Sequence, residues 1–232
     1  MALDHSTTYR TKALRHLPHR MRLKSILAML GARITSGDIS FADFGCSNGY
    51  ITDIIATRFA IQRPHGFDYS EEHAARAREA YPAITFGTAD LNSPNAADRF
   101  DLVTCFETLE HVGELENAMN HLVSATNPGG LLFISVPVEI GFRGLVKFVA
   151  KSVVYRSSYA KHLRELSPDN IGWAYFFALL FYRDVSRFRD KRTRWSTHYG
   201  FDYRVIDRFL EEKGLNFRAT NRFTSRFYLI DV

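Results

Sequence analysis

The chain of 232 residues is 46% hydrophobic and 24% charged, which excludes extended disorder and suits one large globular α/β domain with an ample core. Its two cysteines, Cys46 and Cys105, show no framework spacing, which excludes a disulfide-stapled scaffold and points to reduced thiols in a cytoplasmic protein. The net charge of +5 is unevenly placed, with twelve Lys/Arg against five acids in residues 138–197 and a balance of −2 elsewhere. Such a local field governs what approaches the surface, not the fold.

In chain order, residues 1–25 are rich in Arg, Lys and His and hold no apolar stretch of secretory type, so no signal peptide is expected. Residues 1–30 are expected to form a basic helical segment. Leu14, Leu17, Met21, Ile26, Leu27 and Leu30 supply an apolar stripe, with Pro18 as a break or kink. Arg10, Lys12, Arg15, Arg20, Arg22 and Lys24 are read as its solvated face. The apolar run Ile39–Phe44 reads as a buried strand, and Ile51, Ile54, Ile55 and Phe59 follow it at helical spacing. Between them lies Gly45-x-x-x-Gly49. Glycines at a strand-to-helix turn let the backbone take unusual φ and leave room for a ligand, while the helix start favours an anionic group.

A short strand through His65–Asp68 leads to a helix over Glu71–Tyr81 with Ser70 as N-cap. Further strands are expected at Ile84–Phe86, Phe100–Phe106 and Leu131–Val136, with Asn127-Pro128-Gly129-Gly130 as a turn before the last. Apolar strands alternating with helices argue for a parallel sheet covered on both faces. Residues 138–197 break this rhythm as a helical insertion. One predicted helix carries Phe142, Leu145, Val146, Val149, Ala150 and Val153 on one face, with Arg143, Lys147 and Lys151 opposite. A second contains the apolar run Trp173–Tyr182. At ten residues, that run is half the ~20 needed to span a bilayer. A helix over Tyr203–Lys213, stopped by Gly214, and strands at Leu215–Phe223 and Phe227–Asp231 close the chain, the last two as an antiparallel hairpin.

In open α/β sheets, ligands bind at the carboxyl ends of strands where the strand order switches. Those ends offer Asp43-x-Gly45-x-Ser47-x-Gly49, Asp68, Asp90-Leu91 and Glu107. Asp68 follows Asp43 by 25 residues, the distance at which an acid on the second strand accepts ribose hydroxyls. The pairing describes a nucleoside-type site.

The motifs FADFGCSNG, GFDYS, GTADL, FDLVTCFETLEHV and NPGGLLFISVP, in that order, resemble the class I S-adenosylmethionine-dependent methyltransferases over about residues 38–137 and 198–232. The resemblance implies one Rossmann-like three-layer αβα domain over 1–232, with a seven-stranded, mostly parallel sheet and the last strand antiparallel. The insertion at 138–197 would be a substrate lid. S-Adenosylmethionine would lie with its methionine part on the glycine loop (Asp43, Gly45, Cys46, Ser47, Gly49 and Tyr50), its ribose on Asp68, and its adenine between Tyr69 and Asp90-Leu91. Phe106 and Glu107 would complete the cofactor wall.

Methyl transfer from a sulfonium needs alignment and, for a hydroxyl acceptor, removal of a proton. The candidates for that work are His111, His198 and Glu110, with Glu107 beside them. The pattern Glu107-x-x-Glu110-His111 with the later His198 is similar to the ubiquinone-pathway O-methyltransferases and the small-RNA 3′-terminal 2′-O-methyltransferases. That similarity implies a divalent metal such as Mg²⁺ on Glu107, Glu110, His111 and His198. The residues themselves leave open whether Glu110-His111 is a ligand pair or a structural one. The basic, aromatic insertion suits an anionic small acceptor or an anionic membrane carrying a lipid-linked substrate, with RNA less favoured. The expected function is O-methylation of a small-molecule, sugar- or lipid-linked acceptor. The alternatives are an RNA 2′-O-methyltransferase and a non-catalytic S-adenosylmethionine-binding partner protein.

Overall fold

The computed structural model describes residue 9 and residues 16–35, 37–93, 98–154, 171–188 and 200–232, side chains excepted at 148–154 and 171–173. Its elements run α1 (Leu17–Gly31), β1 (Ser40–Phe44), α2 (Tyr50–Arg58), β2 (Arg63–Asp68), α3 (Glu71–Ala80), β3 (Thr85–Thr88), β4 (Phe100–Phe106), α4 (Leu115–Ser124), β5 (Thr126–Pro137), α5 (Gly141–Val154), α6 (Ile171–Leu180), α7 (Arg204–Glu212), β6 (Asn216–Arg222) and β7 (Ser225–Asp231). The seven strands form one sheet in the order β3-β2-β1-β4-β5-β7-β6. β1 to β5 pair in parallel, and β7 runs antiparallel to both neighbours. β1 is flanked by β2 on one side and β4 on the other, so the strand order reverses there.

Strand residues alternate between two cores, as the pleat requires. Phe41, Leu102, Phe106, Phe133 and Leu229 pack with Ile26, Leu30 and Ile55 on the α1/α2 side. Ala42, Val103, Cys105, Ile134 and Ile230 pack with Met119, Leu122, Leu179, Ile206 and Leu210 on the side of α4, α6 and α7. The sheet is thus sandwiched between helices, as the resemblance implies.

Three local expectations are corrected. Pro18 does not break the first helix. It sits in the first turn of α1, where its missing N–H is not needed. The Asn127–Gly130 segment lies inside β5: Phe100 pairs with Thr126 and Leu102 with Leu131, so the intervening residues bulge out of the ladder. Gly129 takes φ 79° there, and its N–H donates to Val232 O at 2.6 Å. The third concerns α5: of the described side chains on its predicted apolar face, Leu145 packs against the core, but Phe142 is 80% and Val146 50% exposed. Lys147, expected on the solvent side, instead tucks inward to donate to the buried Glu139 at 2.6 Å. Gly144 is buried close to the chain entering the helix, where an added Cβ would stand 2.2 Å from Glu139 O. Gly144, Leu145 and Lys147 thus lie toward the domain, while Phe142 and Val146 lie outward.

Candidate functional site

The chain leaves β1 at the switch in strand order through two constrained glycines. Gly45 has φ 75°, and an added Cβ would fall 2.1 Å from Thr108 Oγ1. Gly49, the N-cap of α2, has φ 77°, and its Cβ would meet Phe86 Cζ at 2.6 Å. Only glycine meets both demands of left-handed backbone and close approach. The turn is held from β2, where Phe67 O accepts from Gly45 N at 2.7 Å and Cys46 N at 3.0 Å. Asp68 Oδ2 accepts from Ser47 N at 2.8 Å, while its Oδ1 accepts from Ser70 N at 2.9 Å. His73 Nδ1 lies 3.1 Å from the same Oδ1.

This turn floors a cavity of about 580 Å³. Of the residues singled out from sequence, Asp43, Gly45, Cys46, Ser47, Tyr50, Asp68, Tyr69, Leu91, Phe106, Glu107 and His111 line it. Gly49 shapes the turn without lining the cavity. Asp90 is a correction: its neighbours Ala89 and Leu91 form the wall, whereas Asp90 Oδ1 accepts from the backbone and side chain of Asn92 at 2.9 and 2.8 Å. Its side chain caps the local turn. His198 lies outside the described residues.

Asp43 is almost wholly buried beneath the turn. Its register partner on β4 is Thr104, whose hydroxyl donates to Oδ1 at 2.6 Å, and Thr52 of α2 donates to Oδ2 at 2.7 Å. Burial pushes its carboxyl up to about 6, against the pull of these two hydroxyls. Asp43 therefore ties β1, β4 and α2 together under the cavity. Ser47 Oγ is buried, lines the cavity and has no hydrogen-bond partner among the described residues, so it offers an unused polar atom to a ligand.

The predicted convergence of Glu107 and Glu110 is not found. Glu107 has φ 50°, which turns the chain before the single helical turn Leu109–His111, and the two carboxylates meet different surroundings. Glu107 Oε2 pairs with Arg22 at 2.8 Å, and its Oε1 accepts from Ser135 Oγ at 3.1 Å. Glu110 is wholly buried, with Oε1 4.0 Å from His111 Nε2. Burial first, and then the charge of Glu107, pushes its carboxyl well above the usual range. Among the described residues, no three His, Cys, Asp or Glu side chains gather to hold a metal ion. The described part of the expected metal set therefore does not fit one, because Glu107 is already neutralised by Arg22 and Glu110 is withdrawn into the core.

Sequence reasoning missed the wall contributed by the N-terminal segment: Tyr9, His19 and Arg22 line the cavity. The Tyr9 ring lies 5.7 Å from those of Tyr50 and His19, and burial raises its hydroxyl pKa. Arg22, read as solvated, is 11% exposed and also donates from Nε to Ser225 Oγ at 3.1 Å. A signal existed: Arg22 stands on the same helical stripe as the buried Ile26, Met29 and Leu30.

Comparison with known proteins agrees with this geometry. Trans-aconitate 2-methyltransferase of Paracidovorax citrulli is 36% identical over 97 residues, covering 41% of this chain and 37% of that protein. The Escherichia coli protein of the same name is 31% identical over 107 residues, covering 46% and 42%. The chain thus matches less than half the length of these curated relatives. The crystal structure of magnesium protoporphyrin IX methyltransferase from Synechocystis with bound S-adenosylhomocysteine superposes with TM-score 0.62 at 19% identity, covering 98% of this chain and 92% of that one; this likeness shows the fold. The profile of the methyltransferase-domain family matches residues 9–178, and the chain belongs to that family, the class I S-adenosylmethionine-dependent methyltransferases.

Proposed function

We propose that the chain transfers a methyl group from S-adenosylmethionine to an oxygen of a small-molecule, sugar- or lipid-linked acceptor. The observation that carries this reading is the glycine-shaped cradle at the strand-order switch, where the unpartnered Ser47 hydroxyl and the Asp68 carboxylate face one cavity. An added Cβ at Gly45 would collide with Thr108 of the same cavity wall, so glycine keeps the shape of the cradle, and its polar lining supports the donor reading.

When bound, S-adenosylmethionine supplies an electrophilic methyl group on its sulfonium. The N–H groups at the start of α2 and the Ser47 hydroxyl receive its amino-acid end. Asp68, whose carboxylate oxygens have lone-pair capacity beyond the bonds they already accept, takes the ribose hydroxyls. Tyr69, Ala89 and Leu91 provide the apolar slot for the adenine. Phe106 and Tyr9 exclude water above the turn. His111, at the cavity wall, takes the proton of an acceptor hydroxyl as the new bond forms, and the buried Glu110 carboxyl lies 4.0 Å behind its Nε2. No step runs through a metal.

His111→Ala should lower kcat by roughly a hundredfold to ten-thousandfold and leave the affinity for S-adenosylhomocysteine unchanged. Unchanged kcat would remove His111 from the chemistry. Absence of S-adenosylhomocysteine binding by the wild-type chain in calorimetry would overturn the reading as a whole.

Arg22, His19 and His111 line the same cavity as hydrogen-bond donors that a carboxylate can accept from, and this supports a second reading, in which the acceptor oxygen belongs to a carboxylate. The names of the curated relatives point the same way. A carboxylate has no proton to lose, so His111→Ala would then raise KM for the acceptor and spare kcat.

A further inference from the structure

Nine large hydrophobic residues are exposed among those described, and seven of them fall in one region: Phe142, Val146, Phe177, Leu180, Phe181, Tyr182 and Phe223. Close contacts join them into one surface. The ring of Tyr182 lies against Gly141, whose added Cβ would stand 2.5 Å from it, which links the end of α6 to the start of α5. Arg143 Nη1 donates to Phe223 O at 3.3 Å, which links α5 to the β6–β7 turn. Phe177 and Phe181 stack one helical turn apart, with ring centroids 6.2 Å from each other. Scattered single hydrophobics need no explanation, but a contiguous cluster of aromatic and aliphatic side chains marks an interaction surface.

The charge around this surface is predominantly positive. Arg143, Arg183, Arg187 and Arg222 are all exposed at or beside it, and Arg183 lies over the Phe181 ring at 5.8 Å. The one described acid in the same stretch, Asp184, is occupied by the N–H and hydroxyl of Ser186 at 2.8 and 2.9 Å. Phenylalanines and aliphatics with a tyrosine and an arginine rim are the chemistry of a side that sinks into the headgroup boundary of an anionic bilayer. A second copy is a poorer occupant, because a two-fold contact would set the same arginines against each other.

The surface also has the right place. β5 ends at Pro137 beside Ser225, the first residue of β7, so α5 and the β6–β7 turn stand at the carboxyl edge of the parallel strands. The donor cavity opens at that same edge. We propose that the α5/α6 surface with the β6–β7 turn docks the protein on anionic lipid and presents the cavity to acceptors held there. Only what the surface would deliver rests on the methyl-transfer reading; the contact itself does not.

The test uses the full chain in co-sedimentation with vesicles of phosphatidylcholine alone and with phosphatidylglycerol added. The expected result is at least about tenfold stronger partitioning to the anionic vesicles, weakened by salt. Arg143→Glu/Arg183→Glu should reduce it by about 30-fold or more, and Phe142→Ser/Phe181→Ser should abolish it. Each variant should keep wild-type S-adenosylhomocysteine affinity, which certifies the fold and keeps failure here distinct from failure of the methyl-transfer reading. Equal partitioning to both vesicle types, no binding to either, or wild-type binding by the variants would overturn the proposal. Self-association that these variants abolish, without vesicle binding, would reassign the surface to a second copy and overturn it too.

Discussion

Arg22 on α1 and Glu107 at the end of β4 meet at 2.8 Å, with side chains 11% and 16% exposed. The guanidinium spans two strand ends, since its Nε also reaches Ser225 on β7. Removing one partner of a mostly buried pair leaves the other charge unbalanced. Arg22→Ala should therefore destabilise the fold by on the order of 3 kcal/mol and weaken donor binding as the N-terminal wall loosens. Arg22→Lys keeps the charge but not the two-armed reach, so it should recover only part of the loss. Urea unfolding and calorimetry with S-adenosylhomocysteine measure both, and wild-type stability in Arg22→Ala would show the pair to be idle.

Asp43 gives the stability curve a predicted slope. Its carboxyl titrates near 3.8 when unfolded and near 6 in the fold, because burial disfavours the charge. Between those values the folded chain binds a proton that the unfolded chain has released, so stability falls as pH rises through the window. The loss is absent below pH ~4 and complete above pH ~6, and amounts to about 3 kcal/mol. Asp43→Asn should remove this slope, with a higher urea midpoint than wild type above pH 6 and convergence near pH 4. Parallel curves for the two proteins would contradict the assignment.

At Gly45 two penalties coincide. Gly45→Ala places a Cβ at left-handed φ, at about 1–3 kcal/mol, and drives it into Thr108. Donor binding should be lost. Thr108→Ala in the same chain removes the methyl and hydroxyl nearest that Cβ and should restore part of the stability. If the second change restores nothing, the close approach is not the cause.

Asp68 holds the loop as well as its proposed ligand, through Ser47 N, Ser70 N and His73. Asp68→Ala should weaken S-adenosylhomocysteine binding at least about a hundredfold, since a site built to bond hydroxyls loses its acceptor. Asp68→Asn keeps one oxygen and should fall in between.

Chelation separates the metal expectation from the arrangement found. With Glu107 held by Arg22 and Glu110 in the core, activity should survive EDTA undiminished. Loss of activity in EDTA, with recovery on adding Mg²⁺, would restore the metal reading.

Much of the fold was legible because its signals are local. The two-residue alternation of β1 and β4, the glycines at 45 and 49, and the acid at the end of β2 announce themselves within a few residues. Asp90 misled because an acid at a strand end reads alike whether it faces a ligand or caps its own turn onto Asn92. The Glu107-x-x-Glu110-His111 pattern misled because it carries no sign of the positive φ at Glu107 or of the distant Arg22 that pairs with it. On α5 the pattern misled in part: Lys147, on its polar side, turns inward because the buried Glu139 needs a partner, and Phe142 and Val146 are left outward.

The order of residues alone was enough for the parallel sheet, the antiparallel closing strand and the glycine turn at the strand-order switch, since each depends on periodicity and turn chemistry over short stretches. Only the tertiary structure decided that Tyr9, His19 and Arg22 wall the cavity, that Glu107 answers an arginine, and that exposed apolar side chains of α5 and α6 gather with arginines among the described residues beside the site. Those outcomes depend on which surfaces meet across the chain. Such meetings are chosen by packing, where a missing Cβ or a buried charge outweighs local pattern.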